Sequence, residues 1–363
     1  MRKVENNLLT ENQFTKLLIA TMFGVGIMRL PNSMVKTAKQ DGWITVIISA
    51  IYPLYILCMA AFLSHNYPND NILVLSKKYL GNVLGSIMNF MFLIVFVIYL
   101  AFEAVGINNF LSTYIIDFLS NFQFFIVFIP ITAFTAYKGL KVLSKFSELV
   151  FYSYITIGVI SLLVLYKGSY LNLCPVFTSG VLKILQGVKN SLFQYVGIEM
   201  VLLIYPRISN KNKVFSSGVK GILYTCFSYT WVTFATIYYL GASIINKALW
   251  SSIYIIESVR VPVVNNFRVV AMFSFVLICI LVVSLYYYSC GLIIKDFLKS
   301  ISRKTILIVT APIIIILCLY LGNEIRLREL IALIIPYAVI FNLFYVTIIV
   351  LLIFTKKVNK NKN

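Results

Sequence analysis

Residues 14–31 have the sequence FTKLLIATMFGVGIMRLP, an apolar run that is interrupted by two glycines and closed by an arginine and a proline. Gly24 and Gly26 lie near the middle of a segment long enough to cross roughly 30 Å of hydrocarbon. Glycine is common in membrane helices, where it lets two helices pack closely. Two glycines at this spacing, with Arg29 and Pro31 just beyond, favour a local break. We therefore predict a helix that is broken at these glycines.

The composition around this segment is that of an integral membrane protein. Hydrophobic residues make up 60% of the 363-residue chain and charged residues 12%, and the mean hydropathy is +0.92. A soluble protein carries about 25% charged residues, so too little polar surface is left to cover a water-soluble domain of this size. The apolar residues fall in blocks of about 20 and not in the alternating strands of a β-barrel. The sequence predicts an all-α membrane protein.

The apolar blocks predict about ten transmembrane helices in a single domain, residues 1–363. An even number of spans places both termini on the same side. With the termini in the cytoplasm, twenty of the 31 Lys and Arg residues lie on the cytoplasmic side and ten lie outside, while Arg29 lies within a span. This bias follows the positive-inside rule. The predicted spans are 13–35, 42–64, 84–116, 122–138, 146–166, 187–205, 216–245, 267–294, 305–322 and 330–354.

The loop between the second and third spans predicts a short amphipathic helix. Its apolar residues begin at Ile72, and Asp70 or Asn71 is placed to cap its start. Lys77 and Lys78 are predicted to face out from its polar side.

The sixth span contains a second unusual stretch, QYVGIE at residues 194–199. A glycine beside a glutamine and a carboxylate is rare in an apolar span, although Glu199 would also fit simple pairing with another helix. The first and sixth spans lie five helices apart. Because five is odd, the two helices enter the membrane from opposite sides. The sequence therefore predicts a five-plus-five inverted repeat with broken helices 1 and 6, an amino acid transporter-like fold.

Transporters of this architecture hold their substrate at the midplane, between the broken helices. Freed N–H groups at the start of a half-helix attract an anionic group such as an amino acid carboxylate. We predict that main-chain atoms of Gly24, Val25 and Gly26 take this role. The residues predicted to line the other side are Gln194, Tyr195 and Gly197.

Two carboxylates lie inside predicted spans, where charge is costly and usually marks function. Glu103 and Glu199 are candidates for a ligand or proton site, and structural pairing of either one is the alternative. Arg29 is the basic residue available inside a span to pair with a carboxylate. Hydroxyl groups for a sodium site could come from Ser153, Thr156, Ser284 and Ser289, although such hydroxyls also satisfy backbone groups in ordinary membrane helices.

Other classes of function find little support in the sequence. The net charge of +19 is spread in short runs between apolar blocks, so we expect no nucleic acid partner. The six cysteines have no metal or redox spacing, and the single His65 lies at a helix end. We therefore expect no catalytic residue, no metal and no cofactor, and an enzyme or an assembly scaffold ranks last among the hypotheses.

Four stretches resemble the spore germination permeases, which are the B subunits of nutrient germinant receptors and belong to the amino acid–polyamine–organocation transporter superfamily. In the first of these stretches, Gln40-Asp41-Gly42-Trp43 at the entry into helix 2 is the most distinctive feature. The four stretches, in chain order, are GVGIMRLPNSMVKTAKQDGWI (24–44), YPNDNILVLSKKYLGNVLG (67–85), LNLCPVFTSGVLKILQGVKNSLFQYVGIEMVLLIYP (171–206) and IIESVRVPVVNNF (255–267).

The resemblance implies a sensor more than a pump. It implies a multi-pass protein of the spore inner membrane that binds a small germinant, typically an amino acid, within a transporter-like fold. It further implies that the protein signals to a membrane A subunit and a lipoprotein C subunit during germination. Contact of the basic cytoplasmic loops with anionic membrane lipid is expected as well. The alternative is a proton- or sodium-coupled amino acid transporter of the same superfamily.

Overall fold

The computed structural model describes residues 8–258 and 267–360, and this part of the chain is almost entirely helical. Its only β-type pairing is an isolated bridge between Leu9 and Ile208. The predicted all-α class is confirmed. The helices are α1 Glu11–Met22, α2 Gly26–Ala38, α3 Gly42–Ser49, α4 Ile51–Asn66, α5 Ile72–Leu80, α6 Asn82–Tyr114, α7 Asn121–Tyr137, α8 Leu140–Ser161, α9 Val181–Tyr195, α10 Val201–Ile204, α11 Val214–Ile245, α12 Ile253–Ser258, α13 Phe267–Phe297, α14 Arg303–Leu321 and α15 Glu324–Lys360.

Six of the described helical segments are long and apolar enough to cross a membrane, when α2 to α4 are counted as one stretch. The other five are α6, α8 with its short 3₁₀ extension, α13, α14 and α15. Large apolar side chains are exposed on the outside of the bundle, for example Ile316 (67%) and Phe344 (57%). A surface of this kind is suited to contact with lipid.

The first interrupted helix consists of α1 and α2. α1 begins with a capping box in which Thr10 and Gln13 each accept a hydrogen bond from the other's backbone N–H. Phe23 leaves the helical conformation (φ −83°, ψ 92°), and α2 begins at Gly26. The predicted break in helix 1 is confirmed.

Pro31 lies inside α2 and has no N–H to donate to the carbonyl of Ile27, four residues earlier. The hydroxyl of Ser252 donates to that carbonyl instead (3.2 Å), and the N–H of Ser252 donates to the carbonyl of Met28 (3.4 Å). The turn before α12 therefore satisfies the carbonyl that the proline leaves free and attaches itself to helix 1.

The second interrupted helix consists of α9 and α10. α9 ends at Tyr195, Val196 is extended, and Gly197 is left-handed with φ 96°. A 3₁₀ turn, Ile198–Met200, then leads into α10. The predicted break in helix 6 is confirmed, and Gly197 is the residue that makes it sterically accessible.

The two interrupted helices run side by side in opposite directions. α1 packs against the 3₁₀ turn that follows the break in helix 6, while α2 packs against α9, which precedes that break. At one end, Leu9 forms backbone hydrogen bonds with Arg207 (2.8 Å) and Ser209 (2.9 Å). This antiparallel pairing places both breaks at the same level of the bundle. We call the end near Leu9 the proximal side and the opposite end the distal side.

The predicted amphipathic helix is present as α5. Asn71 caps it, because its Oδ1 accepts hydrogen bonds from the N–H groups of Leu73 and Val74 (both 3.2 Å). Lys77 differs from the prediction, since its Nζ lies 2.5 Å from Oδ2 of Asp296 near the end of α13. The ion pair holds α5 against the bundle, whereas Lys78 is exposed as predicted and its Nζ lies 3.9 Å from Oδ2 of Asp70.

Replacing Gly197 with Ala is expected to lower the thermal stability of the purified protein. A left-handed backbone costs a residue with a Cβ about 1–2 kcal/mol, and a Cβ here would lie 2.2 Å from the carbonyl oxygen of Thr21. Gly158→Ala in α8 is the matched control, since its added Cβ meets nothing within 4 Å. Unfolding would be followed by fluorescence-detected size exclusion after heating. Equal melting temperatures for the two variants would contradict this role of Gly197.

Candidate functional site

The break in helix 1 holds a carboxylate of the protein itself. Glu103, in the middle of α6, is 4% exposed, and its Oε2 accepts a hydrogen bond from the N–H of Val25 at 2.7 Å. Gly24 makes room for this contact, since a Cβ there would lie 2.3 Å from the same oxygen. Backbone N–H groups at the start of a helix attract negative charge. Glu103 therefore occupies the anion position at the start of α2.

This contact bears on the predicted ligand site at Gly24, Val25 and Gly26. The N–H of Val25 already donates to Glu103, so a ligand carboxylate would have to displace Glu103 to use the same donor. The carbonyl of Gly26 accepts a long hydrogen bond from Nε2 of Gln194 (3.4 Å). The binding of a ligand by these main-chain atoms stays a prediction, and Glu103 is its internal competitor.

The break in helix 6 is held by a second carboxylate, that of the fully buried Glu199. Its Oε2 accepts from the N–H of Gly197 at 2.6 Å. Its Oε1 accepts from Nδ2 of Asn342 (2.8 Å) and from the hydroxyl groups of Tyr99 (3.1 Å) and Tyr52. These side-chain donors come from α4, α6 and α15. Glu199 thus ties helix 6 to three other helices, which is the structural alternative that the sequence left open.

Two tyrosines satisfy carbonyl groups that the breaks set free. Tyr229 on α11 and Tyr286 on α13 each reach the ends of both α1 and α9. Neither tyrosine was predicted from the sequence, although a ring with a hydroxyl group in the middle of an apolar span is a visible signal. The distances from hydroxyl to carbonyl oxygen are 2.5 Å (Tyr229 to Met22), 3.1 Å (Tyr229 to Gln194), 2.7 Å (Tyr286 to Thr21) and 3.3 Å (Tyr286 to Val196).

A cavity of about 890 Å³ opens on the distal side, between α2, α9 and α15. Arg29, Phe193 and Gln194 are its buried residues nearest the breaks, and they form its floor. Of the residues predicted to bind a ligand, only Gln194 lines this cavity. Gly26 lies directly behind the floor, since a Cβ there would be 3.2 Å from the ring of Phe193.

Tyr195 points away from the cavity and donates its hydroxyl to the carbonyl of Val46 in α3 (3.0 Å). Gly197 is enclosed by the carbonyl of Thr21 and the ring of Tyr286. Both residues, together with Glu199, therefore belong to the packed interior of the bundle and not to the cavity wall.

Arg29 forms an ion pair with a carboxylate, as the sequence predicted, but its partner is neither Glu103 nor Glu199. Its partner is Glu324, the first residue of α15, whose Oε1 lies 3.3 Å from Nη1 of Arg29 and 2.6 Å from Nε of Arg328. The guanidinium also lies over the ring of Phe193, 4.8 Å from its centre. Its second terminal nitrogen, Nη2, is buried and has no hydrogen-bond partner.

Three of the four hydroxyls considered for sodium donate to backbone carbonyls of their own helix, which is the ordinary role that the sequence left open. Thr156, on the exposed face of α8, donates to the carbonyl of Tyr152 (2.9 Å). Ser284 and Ser289 likewise donate to carbonyls four residues earlier in α13. Within residues 8–258 and 267–360, no three His, Cys, Asp or Glu side chains are grouped closely enough to hold a metal ion.

The two buried glutamates should respond differently to replacement by glutamine. Glu199→Gln removes the charge that four donors share, and we expect a loss of about 1–3 kcal/mol in the free energy of unfolding. Glu103→Gln keeps an oxygen that can accept from Val25, so its melting temperature should fall much less. Thermal unfolding of both purified variants checks this. A larger loss for Glu103→Gln would reverse the structural assignment of the two residues.

Comparison with known proteins supports the resemblance to spore germination proteins over most of the chain. A profile of the family described as "Spore germination protein" matches residues 8–326. The spore germination protein GerQB of Bacillus cereus is 23% identical over 319 residues, which cover 86% of this chain and 87% of GerQB. The spore germination protein YndE of Bacillus subtilis (strain 168) is 23% identical over 221 residues, which cover 58% of this chain and 60% of YndE.

Among solved structures, the chain is similar to MHP1. MHP1 is a transporter of the nucleobase-cation-symport-1 family, and its structure shows a closed conformation with bromovinylhydantoin bound. It matches with a TM-score of 0.62 and 11% identity, over 92% of this chain and 76% of MHP1. The likeness shows the fold alone, and the predicted transporter-like fold is confirmed. The family is one of germination proteins, so the chain is not an enzyme. It is a multi-pass membrane protein that belongs to the family of spore germination proteins.

Proposed function

We propose that this chain is the subunit of a nutrient germinant receptor that senses the germinant, an amino acid, and thereby triggers spore germination. The observation that carries the proposal is the distal cavity of about 890 Å³, which ends between the two interrupted helices. The volume is within the range of small-molecule sites. Membership of the family supplies the link to germination, since its relatives GerQB and YndE are spore germination proteins.

The ligand is proposed to bind at the floor of this cavity, against Gln194 and the main chain of Gly26. Oε1 of Gln194 is buried without a partner, and the Nε2 bond to Gly26 is long at 3.4 Å. Val25 and Glu103 lie directly behind. A ligand that draws Gln194 away from Gly26 would therefore act on the first turn of α2 and on its contact with Glu103.

The fold also favours a second candidate, proton- or sodium-coupled amino acid transport, because MHP1 is a transporter. Alternating access requires the two repeats to move against each other around the bound substrate. Here the freed backbone groups of both breaks bind to side chains from several helices, Glu103, Glu199, Tyr229 and Tyr286 among them. This internal bonding favours a site that reports occupancy over one that passes a substrate through.

In this proposed role the chain lies in the spore inner membrane, and its partners are an A subunit and a lipoprotein C subunit. Both termini would lie in the cytoplasm, which places the distal cavity on the outer side, where a nutrient arrives. The basic proximal loops would then face anionic lipid and the soluble part of the A subunit.

This orientation predicts how introduced cysteines react. A cysteine at the exposed Asn210, in a Cys174→Ser background, should resist a membrane-impermeant maleimide applied from outside and react after permeabilisation. The native Cys174 is the matched control, since it is exposed in the distal loop next to Pro175, whose carbonyl binds Gln40. Mass-shift gels of intact and permeabilised cells measure the labelling. Reaction of the Asn210→Cys protein from outside would overturn the orientation.

Binding and uptake of a labelled amino acid panel separate the sensor from the transporter. In detergent we expect saturable binding, and in liposomes with an imposed proton or sodium gradient we expect no accumulation. Gly26→Val should abolish binding, because even a Cβ would lie 3.2 Å from the ring of Phe193, while the protein level stays normal.

Gly158→Val is the control for this substitution, since it adds the same side chain to α8 where a Cβ has open space. Concentrative uptake driven by either gradient would make the chain a working transporter. Unchanged binding by Gly26→Val would remove Gly26 from the ligand site.

A further inference from the structure

We infer that the distal cavity selects an amino acid with net negative charge, whose carboxylate binds the free Nη2 of Arg29. The inference rests on the proposed function in that it concerns the same cavity, and it names the class of germinant that the cavity takes.

The cavity is lined by cations at every depth. Six basic side chains line the cavity, and among the residues that the structure describes no Asp or Glu does so. Glu324 lies behind two of them, Arg29 and Arg328, and is shared between both. The lining cations are Arg29, Lys36, Lys39, Lys183, Lys189 and Arg328.

Topology signals do not account for this concentration of charge. The predicted distal loops and helix ends carry ten Lys and Arg residues in all, and five of these line the one cavity. Lys36 and Lys39 come from the end of helix 1, whereas Lys183 and Lys189 come from the start of helix 6. They meet because α2 and α9 pack side by side. All four lysines are exposed, so they form a positive rim that would draw an anion inward.

Arg29 provides the binding group at the bottom. The residue is 3% exposed, and its Nη2 has no acceptor in the structure. A buried donor of a charged group that lacks a partner is costly, and an ionisable group inside a membrane protein usually marks a functional site. Stacking on Phe193 at 4.8 Å fixes the plane of the guanidinium. A ligand carboxylate would supply the missing acceptor without having to order the side chain.

Gln194 adds the complementary feature on the same floor. Its Oε1 is buried and unpartnered, while its Nε2 donates to the carbonyl of Gly26. Reversing the amide would place two oxygens against each other, so the free atom is an acceptor. The floor thus offers a donor to a carboxylate and an acceptor to an ammonium group, which together describe an amino acid. The rim lysines then favour a second carboxylate on that amino acid.

The test uses the full-length purified protein with L-glutamate and L-glutamine, which differ by one charge at almost the same shape. We expect L-glutamate to bind about tenfold more tightly or better, the ratio expected for one charge-assisted hydrogen bond. High salt should reduce the ratio, because the rim charges are exposed. Arg29→Gln should weaken the binding of both amino acids by about tenfold or more, because both lose the donor to their shared α-carboxylate, and its fold is protected because Glu324 keeps Arg328 as a partner.

Lys36→Gln and Lys189→Gln extend the test to exposed positions, where misfolding is not a concern, and should each reduce the preference partially. Arg326→Gln is the matched control, since Arg326 is an exposed basic residue of α15 that does not line the cavity. An unchanged preference in both lysine variants would overturn the inference, as would unchanged binding in Arg29→Gln or a loss of equal size in the control.

The remaining outcomes separate the inference from the proposed function. Equal binding of L-glutamate and L-glutamine would overturn the anionic class and leave the amino acid sensor intact. Saturable binding of neither, nor of any other amino acid in the panel, would overturn both. Repeating the assay in nanodiscs with and without phosphatidylglycerol identifies the source of the anion. Competitive loss of L-glutamate binding on adding that lipid would assign the cavity to a lipid headgroup and overturn the inference.

Discussion

The structure depends on one constraint, that backbone groups freed inside a membrane must find partners other than water. Breaking two helices at the same level frees N–H and carbonyl groups in the most apolar part of the bundle. Glu103 and Glu199 accept from the N–H groups of Val25 and Gly197, and two tyrosines donate to the carbonyls at the ends of α1 and α9. The core is organised around these contacts, because their side chains come from α6, α11, α13 and helix 6 itself.

The same constraint explains why Glu103 and Glu199 differ in how firmly they are held in place. Glu199 has four donors from three other helices and its own backbone, so moving it would unsatisfy groups throughout the bundle. Glu103 has one backbone donor, at the start of α2. An anion position held by a single contact is the one that can respond to a neighbour. The break in helix 1 is accordingly the adaptable half of the pair and the break in helix 6 the rigid half.

Much of this fold could be predicted, because the breaks interrupt apolar runs with residues that are unusual in a membrane span. These are GVG in the first helix and QYVGIE in the sixth. The hydrogen-bond partners of the residues at the breaks could not be predicted, since a hydrogen bond between helices distant in sequence leaves no local pattern. Asn342 is 143 residues from Glu199, and Glu324 is 295 residues from Arg29. Glu324 also resembled an ordinary loop residue. The rim lysines were visible as charges, but their convergence required the antiparallel packing of α2 on α9.

α15 connects the distal cavity to the proximal side. Its first turns carry Glu324 and Arg328 at the cavity, and its middle carries Asn342 on Glu199. Further along, the hydroxyl of Tyr345 donates to Oδ1 of Asn89 (2.6 Å), and Asn89 donates to Asp296, the ion-pair partner of Lys77 on α5. One continuous helix thus contacts the Arg29 pair, the rigid break and the amphipathic helix. In the proposed receptor, a ligand that repositions Arg29 against Glu324 would act on the end of that helix, and a partner subunit on the proximal side would need only to contact α5 to be affected. Coupling between two distant sites requires a physical connection of this kind, and a sensor has to couple its ligand site to its partner.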